Sequence, residues 1–146
     1  MMLLIFFYSG LYALERESTL KMYHGIFSAL SSKTMISVYT TDKEYRKVFT
    51  TSKRIFLSPK PEESDIILIT NRSTLKTILK RNKTDKSAKK PILFVTNYRF
   101  LKDSEDIVGA FYWRKGRSQL LFIKKRLEQQ NIQLPKAYQS FMVDEL

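Results

Sequence analysis

The chain contains no cysteine, which excludes disulfides, cysteine nucleophiles and thiolate metal sites together. Lipid attachment through an N-terminal cysteine is excluded with them. His24 is the one histidine, so neither a Cys–His couple nor a two-histidine metal site can form. A structural or surface role is the simpler reading of that side chain. The four glycines, Gly10, Gly25, Gly109 and Gly116, are too scattered for a dinucleotide or phosphate-loop fingerprint. Acidic residues are few, 14 against 26 lysines and arginines. They cluster at Glu62-Glu63-Asp65 and at Asp103-Glu105-Asp106. Neither cluster has the alternating spacing and central glycine of a calcium loop, and both read as solvated acidic loops. On this inventory no catalytic centre, metal or cofactor is expected.

What is present suits one globular domain. The 146 residues are 43% hydrophobic and 13% aromatic, enough for a real core. The net charge of +12 favours anionic partners: an acidic protein face, an anionic membrane surface or nucleic acid.

Residues 1–13 carry no charge, and the character changes abruptly at Leu14-Glu15-Arg16-Glu17. An apolar stretch of about 7–15 residues that ends on a small side chain, here Ala13, is the pattern of a secretory signal peptide. It is shorter than the roughly 20 residues of a membrane span. The basic start typical of such leaders is missing, since Met1-Met2 supplies no lysine or arginine. The expectation is an exported, periplasmic protein with a mature domain over residues 14–146. A buried N-terminal helix or strand of a cytoplasmic protein is the alternative.

Periodicity outlines the rest. Leu20, Tyr23, Phe27 and Leu30 recur at helical spacing, predicting a helix from Glu15 to Ser31. Met35–Tyr39, Arg54–Leu57, Ile66–Ile69 and Pro91–Val95 read as strands. Between them lie helices from Asp42 to Phe49 and from Ser73 to Lys80, with Lys80–Lys90 a solvated basic loop and Asn97–Asp106 irregular and polar. Ala110–Trp113 and Gln119–Ile123 form a hairpin turned at Arg114-Lys115-Gly116-Arg117. A helix from Lys124 to Gln130 follows, and Pro135 opens a last amphipathic helix through Ala137, Tyr138, Phe141 and Met142. Alternating strands and helices predict an α/β fold: one three-layer domain with a mostly parallel central sheet and a C-terminal β-hairpin plus helices.

Two constellations are candidates for binding. Strands that end in Thr70-Asn71-Arg72-Ser73 and in Thr96-Asn97 place polar groups at the carboxyl ends of the sheet, where ligands of open α/β folds collect. Thr70, Asn71, Arg72, Ser73 and Asn97 are therefore candidates for a small anionic ligand, with a helix N-terminus and arginine as the attracting groups. Capping accounts for the same residue types equally well. The second constellation is Tyr112, Trp113, Arg114 and Arg117. Strand alternation puts aromatics on both faces, so the expectation is at least one exposed large ring, with plain core packing of Phe111 and Trp113 as the alternative. Aromatic and arginine side chains dominate protein interfaces; they also stack single-stranded nucleic acid, a partner that export would disfavour.

Several segments in order resemble the YfiR-like family of periplasmic proteins. Lys21 through Phe27 resembles the family's opening helix, Ser64-Asp65-Ile66-Ile67-Leu68-Ile69 its central strand, and Pro91 through Thr96, with Phe100 beyond, the next strand. Ile107 through Trp113, then Lys115-Gly116-Arg117 and Leu121-Phe122-Ile123, resembles its glycine–strand–turn–strand run, with Leu127 and Asn131–Leu134 as the closing helix and segment. The family's common cysteines are absent, Ser64 standing at one such position. The resemblance implies an α/β fold, a periplasmic location and a regulatory role toward an inner-membrane signalling protein such as a diguanylate cyclase.

Overall fold

The computed structural model describes residues 2–85 and 90–146, with side chains from residue 15 onward. Helix α1 spans Met2–Leu30, so the backbone through the expected leader is helical from Met2. The side chains of residues 1–13, and the Ala13 junction with them, lie outside the described residues. No helix of the described residues is long and apolar enough to cross a membrane.

The chain then alternates: β1 (Ile36–Tyr39), α2 (Lys43–Thr50), β2 (Ile55–Leu57), β3 (Ile66–Ile69), α3 (Arg72–Thr84), β4 (Ile92–Val95), β5 (Ile107–Arg114), β6 (Arg117–Ile123), α4 (Lys124–Gln129) and β7 (Met142–Val143). One seven-stranded sheet results, in the order β2-β1-β3-β4-β5-β6-β7. The pairs from β2 through β5 are parallel, β5–β6 is antiparallel, and β6–β7 is parallel. The expected three-layer α/β architecture is what forms.

Each face of the sheet carries its own core. Tyr23, Ile26 and Phe27 of α1 and Val48 and Phe49 of α2 cover Ile36, Val38, Ile66, Leu68 and Phe94. Leu75 and Ile78 of α3, with Phe100 and Leu101, cover Ile67, Ile69, Leu93 and Val95 on the opposite face. All four residues of β3 are buried, as a central parallel strand requires. Truncating Phe27 to alanine would cost about 4 kcal/mol, typical of a fully buried aromatic.

Helix starts follow from short polar side chains. Asp42 accepts the amides of Glu44 and Tyr45 to cap α2, and Asn71 accepts the amide of Thr74 to cap α3. Helix α3 runs to Thr84, into the segment expected to be a basic loop. Lysine, arginine and asparagine there break nothing, positive charge suits a helix C-terminus, and Arg81 pairs with Glu62 at 2.7 Å. The stretch from Asn97 to Asp106, expected to be irregular, contains a 3-10 helix over Tyr98–Lys102 whose Phe100 and Leu101 are buried. The last amphipathic helix is likewise a 3-10 helix, Lys136–Phe141, and Met142 leaves it to join β7. Tyr138 packs beside α1 at Gly25, where a Cβ would collide with its hydroxyl.

The acidic run at Glu62-Glu63-Asp65 is only partly the solvated loop expected. Asp65 accepts the Ser37 amide at 2.9 Å, the Ser37 hydroxyl at 3.2 Å and the Lys33 ammonium at 2.6 Å. Its amide donates to the Ser37 carbonyl and its carbonyl accepts from Ile92, so one residue ties β1, β3 and β4 together. Burial opposes its ionisation, but the Lys33 and Ser37 bonds outweigh it and hold the carboxyl below the ordinary range.

Candidate docking site

The outer half of the β5–β6 hairpin is open to solvent, with Trp113 through Ser118 exposed. Lys115 and Gly116 have φ of 53° and 75°, the left-handed pair of a two-residue type I′ turn. Arg114 pairs directly with Arg117, Trp113 with Ser118 and Tyr112 with Gln119. Where β5 leaves β4 the register slips: Leu93 pairs with Ile107 but Phe94 with Gly109, so Val108 is the extra residue of a β-bulge. Ile107 therefore belongs to the α3-side core and Val108 to the α1-side core. After the bulge, Phe111 lies against the α1-side core, while Ala110 and Tyr112 face the α3 side.

Gly109 makes this arrangement possible. A Cβ there would stand 2.5 Å from the Leu121 carbonyl oxygen and 3.2 Å from the Phe94 ring. Its absence lets Phe94 and Phe122 meet with ring centroids 6.0 Å apart.

The four residues expected to form one aromatic–basic surface are divided between two. Tyr112, Arg114 and Arg117 share the α3 side of the hairpin, and Trp113 points to the α1 side. The cause is alternation within an antiparallel ladder: neighbours in sequence cannot share a face. On the α3 side the Tyr112 ring meets Tyr98 at 5.3 Å, and the Arg114 guanidinium lies 5.9 Å over the Tyr98 ring. Tyr98 completes this face, and nothing in the local sequence pattern announces it; the 3-10 turn capped by Asn97 brings it there.

Among the described residues no acidic side chain pairs with the charge on this face. Arg114 and Arg117 stand opposite each other, like charges in one cross-strand pair, which is locally unfavourable. Among the described residues, none of Arg114, Lys115 and Arg117 forms an ion pair. Lys115 moreover occupies a left-handed position that glycine or asparagine fits with less strain.

Trp113 is 73% exposed, at the mouth of a groove of about 600 Å³ between α1, α2 and the hairpin. Phe111 is partly buried and packs on the α1-side core.

The carboxyl ends of the strands are arranged differently. Asn71 caps α3, and Asn97 accepts the Arg99 amide at 2.9 Å. Arg72 binds Asp103 at 2.7 Å and lies 5.1 Å over the Phe100 ring. Between β1 and β3, where the strand order reverses, the Thr41 and Thr74 hydroxyls bond to each other at 2.9 Å. Helix α3 begins at Arg72, so Ser73 lies within its first turn and Thr70 just before the Asn71 cap. The five residues do gather at one edge, and Asn71, Arg72 and Asn97 are engaged with the protein itself.

His24 lies on α1 within 3.4 Å of the Ser28 hydroxyl. Among the described residues, no group of three or more acidic or histidine side chains is placed to hold a metal. No family model matches the sequence, and no curated protein or solved structure is significantly similar to it.

Proposed function

We propose that this chain is a non-enzymatic regulatory or adaptor module that docks through the basic face of its hairpin, Tyr98, Tyr112, Arg114 and Arg117 with Lys115 at the turn. The observation that carries the reading is the Arg114–Arg117 cross-strand pair, two like charges held opposite each other without an ion-pair partner among the described residues. Such an arrangement is relieved when an acidic surface supplies the carboxylates. Two tyrosines beside the arginines add the aromatic area that protein interfaces favour. The uncharged segment over residues 1–13 and the resemblance to YfiR-like proteins support export. The partner we propose is accordingly an inner-membrane signalling protein with an acidic extracytoplasmic surface, of which a diguanylate cyclase is one instance.

Charge reversal tests the reading. Tagged wild-type protein and the Arg114→Glu, Arg117→Glu variant are crosslinked in the native cell and recovered with their prey. The expected result is a processed wild-type chain joined to an inner-membrane signalling protein, with at least about tenfold less captured by the variant, since each desolvated charge pair contributes on the order of 1.5 kcal/mol or more. Equal capture by both chains removes the hairpin face from the interface. An unprocessed chain carrying nucleic acid would overturn the compartment and the partner class together.

A further inference from the structure

The groove on the α1 side of the hairpin has a composition at odds with the rest of the molecule. It is lined by Tyr23, Tyr45, Phe111 and Trp113, with Met22 beneath and the hydroxyls of Ser18, Thr19 and Ser118 at its rim. Among the described residues its one charged lining residue is Glu15. In a chain of net charge +12, no lysine or arginine among the described residues lines it. A smaller depression shares Glu15, Thr19 and Tyr45 with it and adds Arg16, the α2 cap Asp42, and Glu44, which pairs with Lys47 at 3.5 Å. This is a locally acidic, aromatic patch on a basic protein.

The rings are fixed in place. Tyr23 is fully buried and forms the floor. It meets Tyr45 at 5.3 Å and Phe111 at 5.8 Å, both edge to face, and donates its hydroxyl proton to Tyr45 at 3.3 Å. Burial pushes the Tyr23 hydroxyl far above its ordinary pKa, so the floor stays neutral. Tyr45 stacks in turn on Phe49. The walls are thus held by the core, and Trp113 stands free at the entrance.

Several aromatic rings around one carboxylate form the arrangement that recognises organic cations, through attraction to the ring faces and neutralisation by the acid. A phosphate or carboxylate ligand would meet the Glu15 carboxylate, with no lysine or arginine among the described lining residues to receive it. We infer that this groove binds a small organic cation, an alkyl- or aryl-ammonium compound, between Trp113, Phe111 and Tyr45, above the buried Tyr23, with Glu15 as counter-charge. The site lies on the opposite side of the hairpin from the proposed docking face and does not depend on it.

Trp113 is the only tryptophan in the chain, so intrinsic fluorescence reports directly on the groove. The probes are benzyltrimethylammonium, its uncharged carbon isostere neopentylbenzene, and benzoate, titrated into the protein isolated from its own cell. The expected result is saturable quenching by the ammonium compound, at least about tenfold tighter than by the isostere, with no saturation by benzoate. Glu15→Gln, an exposed substitution that leaves folding intact, should weaken the ammonium compound about fivefold or more and leave the isostere unchanged. Trp113→Ala, followed by calorimetry, should weaken it comparably. Equal affinity for the ammonium compound and the isostere would overturn the inference, as would affinity unmoved by Glu15→Gln. So would the absence of saturable binding by all three probes.

Discussion

The carboxyl edge of the sheet and the β5–β6 hairpin carry similar residue types and treat them in opposite ways. At the edge, Asn71, Asn97, Thr41, Thr74 and Arg72 are bound to backbone amides, to each other or to Asp103. At the hairpin, Arg114, Lys115 and Arg117 are bound to no carboxylate among the described residues, and Trp113 projects into solvent. An arginine beside aromatic rings is therefore not by itself a recognition device. Arg72 over Phe100 and Arg114 over Tyr98 differ chiefly in that Asp103 neutralises the first.

The largest expected effect comes from breaking the hairpin itself. Gly109→Val would drive a side chain into the Leu121 carbonyl and the Phe94–Phe122 contact, costing about 3 kcal/mol or more. A urea unfolding curve should show a sharply lowered midpoint; a midpoint within error of wild type would mean that β5 accommodates the residue by shifting.

Next is Asp65→Ala, which removes the bonds to Ser37 and Lys33 and should cost about 2–3 kcal/mol at neutral pH. Its sign with pH is fixed by the lowered carboxyl pKa. Stability from Asp65 is fully present above the pKa of the unfolded chain and is lost as pH falls through the lower pKa of the folded one. Unfolding followed from neutral to strongly acidic pH should show the gap between wild type and variant closing at the acid end, and a constant gap would deny the carboxylate its role.

Lys115→Asn acts on stability and on binding in opposite directions. Relieving a left-handed lysine should stabilise the fold by about 1 kcal/mol while weakening the docking of an acidic partner. Thermal melting reads the first effect and partner affinity the second. A variant both more stable and tighter-binding would show that the lysine is not kept for its charge.

The smallest effects on stability distinguish the two regions most cleanly. Arg72→Ala should lower stability by about 0.5–1 kcal/mol through loss of the Asp103 pair and leave partner affinity unchanged. Trp113→Ala should alter stability by less than about 0.5 kcal/mol, as expected for so exposed a side chain. Reversal of that pattern in paired melting and binding measurements would exchange the roles assigned to edge and hairpin.

The fold was largely legible because its signals are local. Apolar runs such as Ile66–Ile69 mark buried parallel strands, and Asp42 caps the helix it precedes. The placement of Trp113 was not legible, because it depends on the Val108 bulge. One extra residue against β4 reverses which face every later side chain of β5 takes. Helical spacing puts Tyr23 on the apolar face of α1, but its meeting with Tyr45, and that of Tyr98 with Tyr112, is tertiary packing across separate elements, which no spacing rule encodes. Asp65 looked like surface charge because its partners, Lys33 and Ser37, are 32 and 28 residues away.

The most direct test of the central claim places a photoreactive side chain at Arg117 in one protein and at Asn71 in another, and irradiates both in the native cell. A specific crosslink to a membrane signalling protein is expected from position 117 and none from position 71. A crosslink to such a partner from position 71 alone would contradict it, moving the working surface from the hairpin to the carboxyl edge of the sheet.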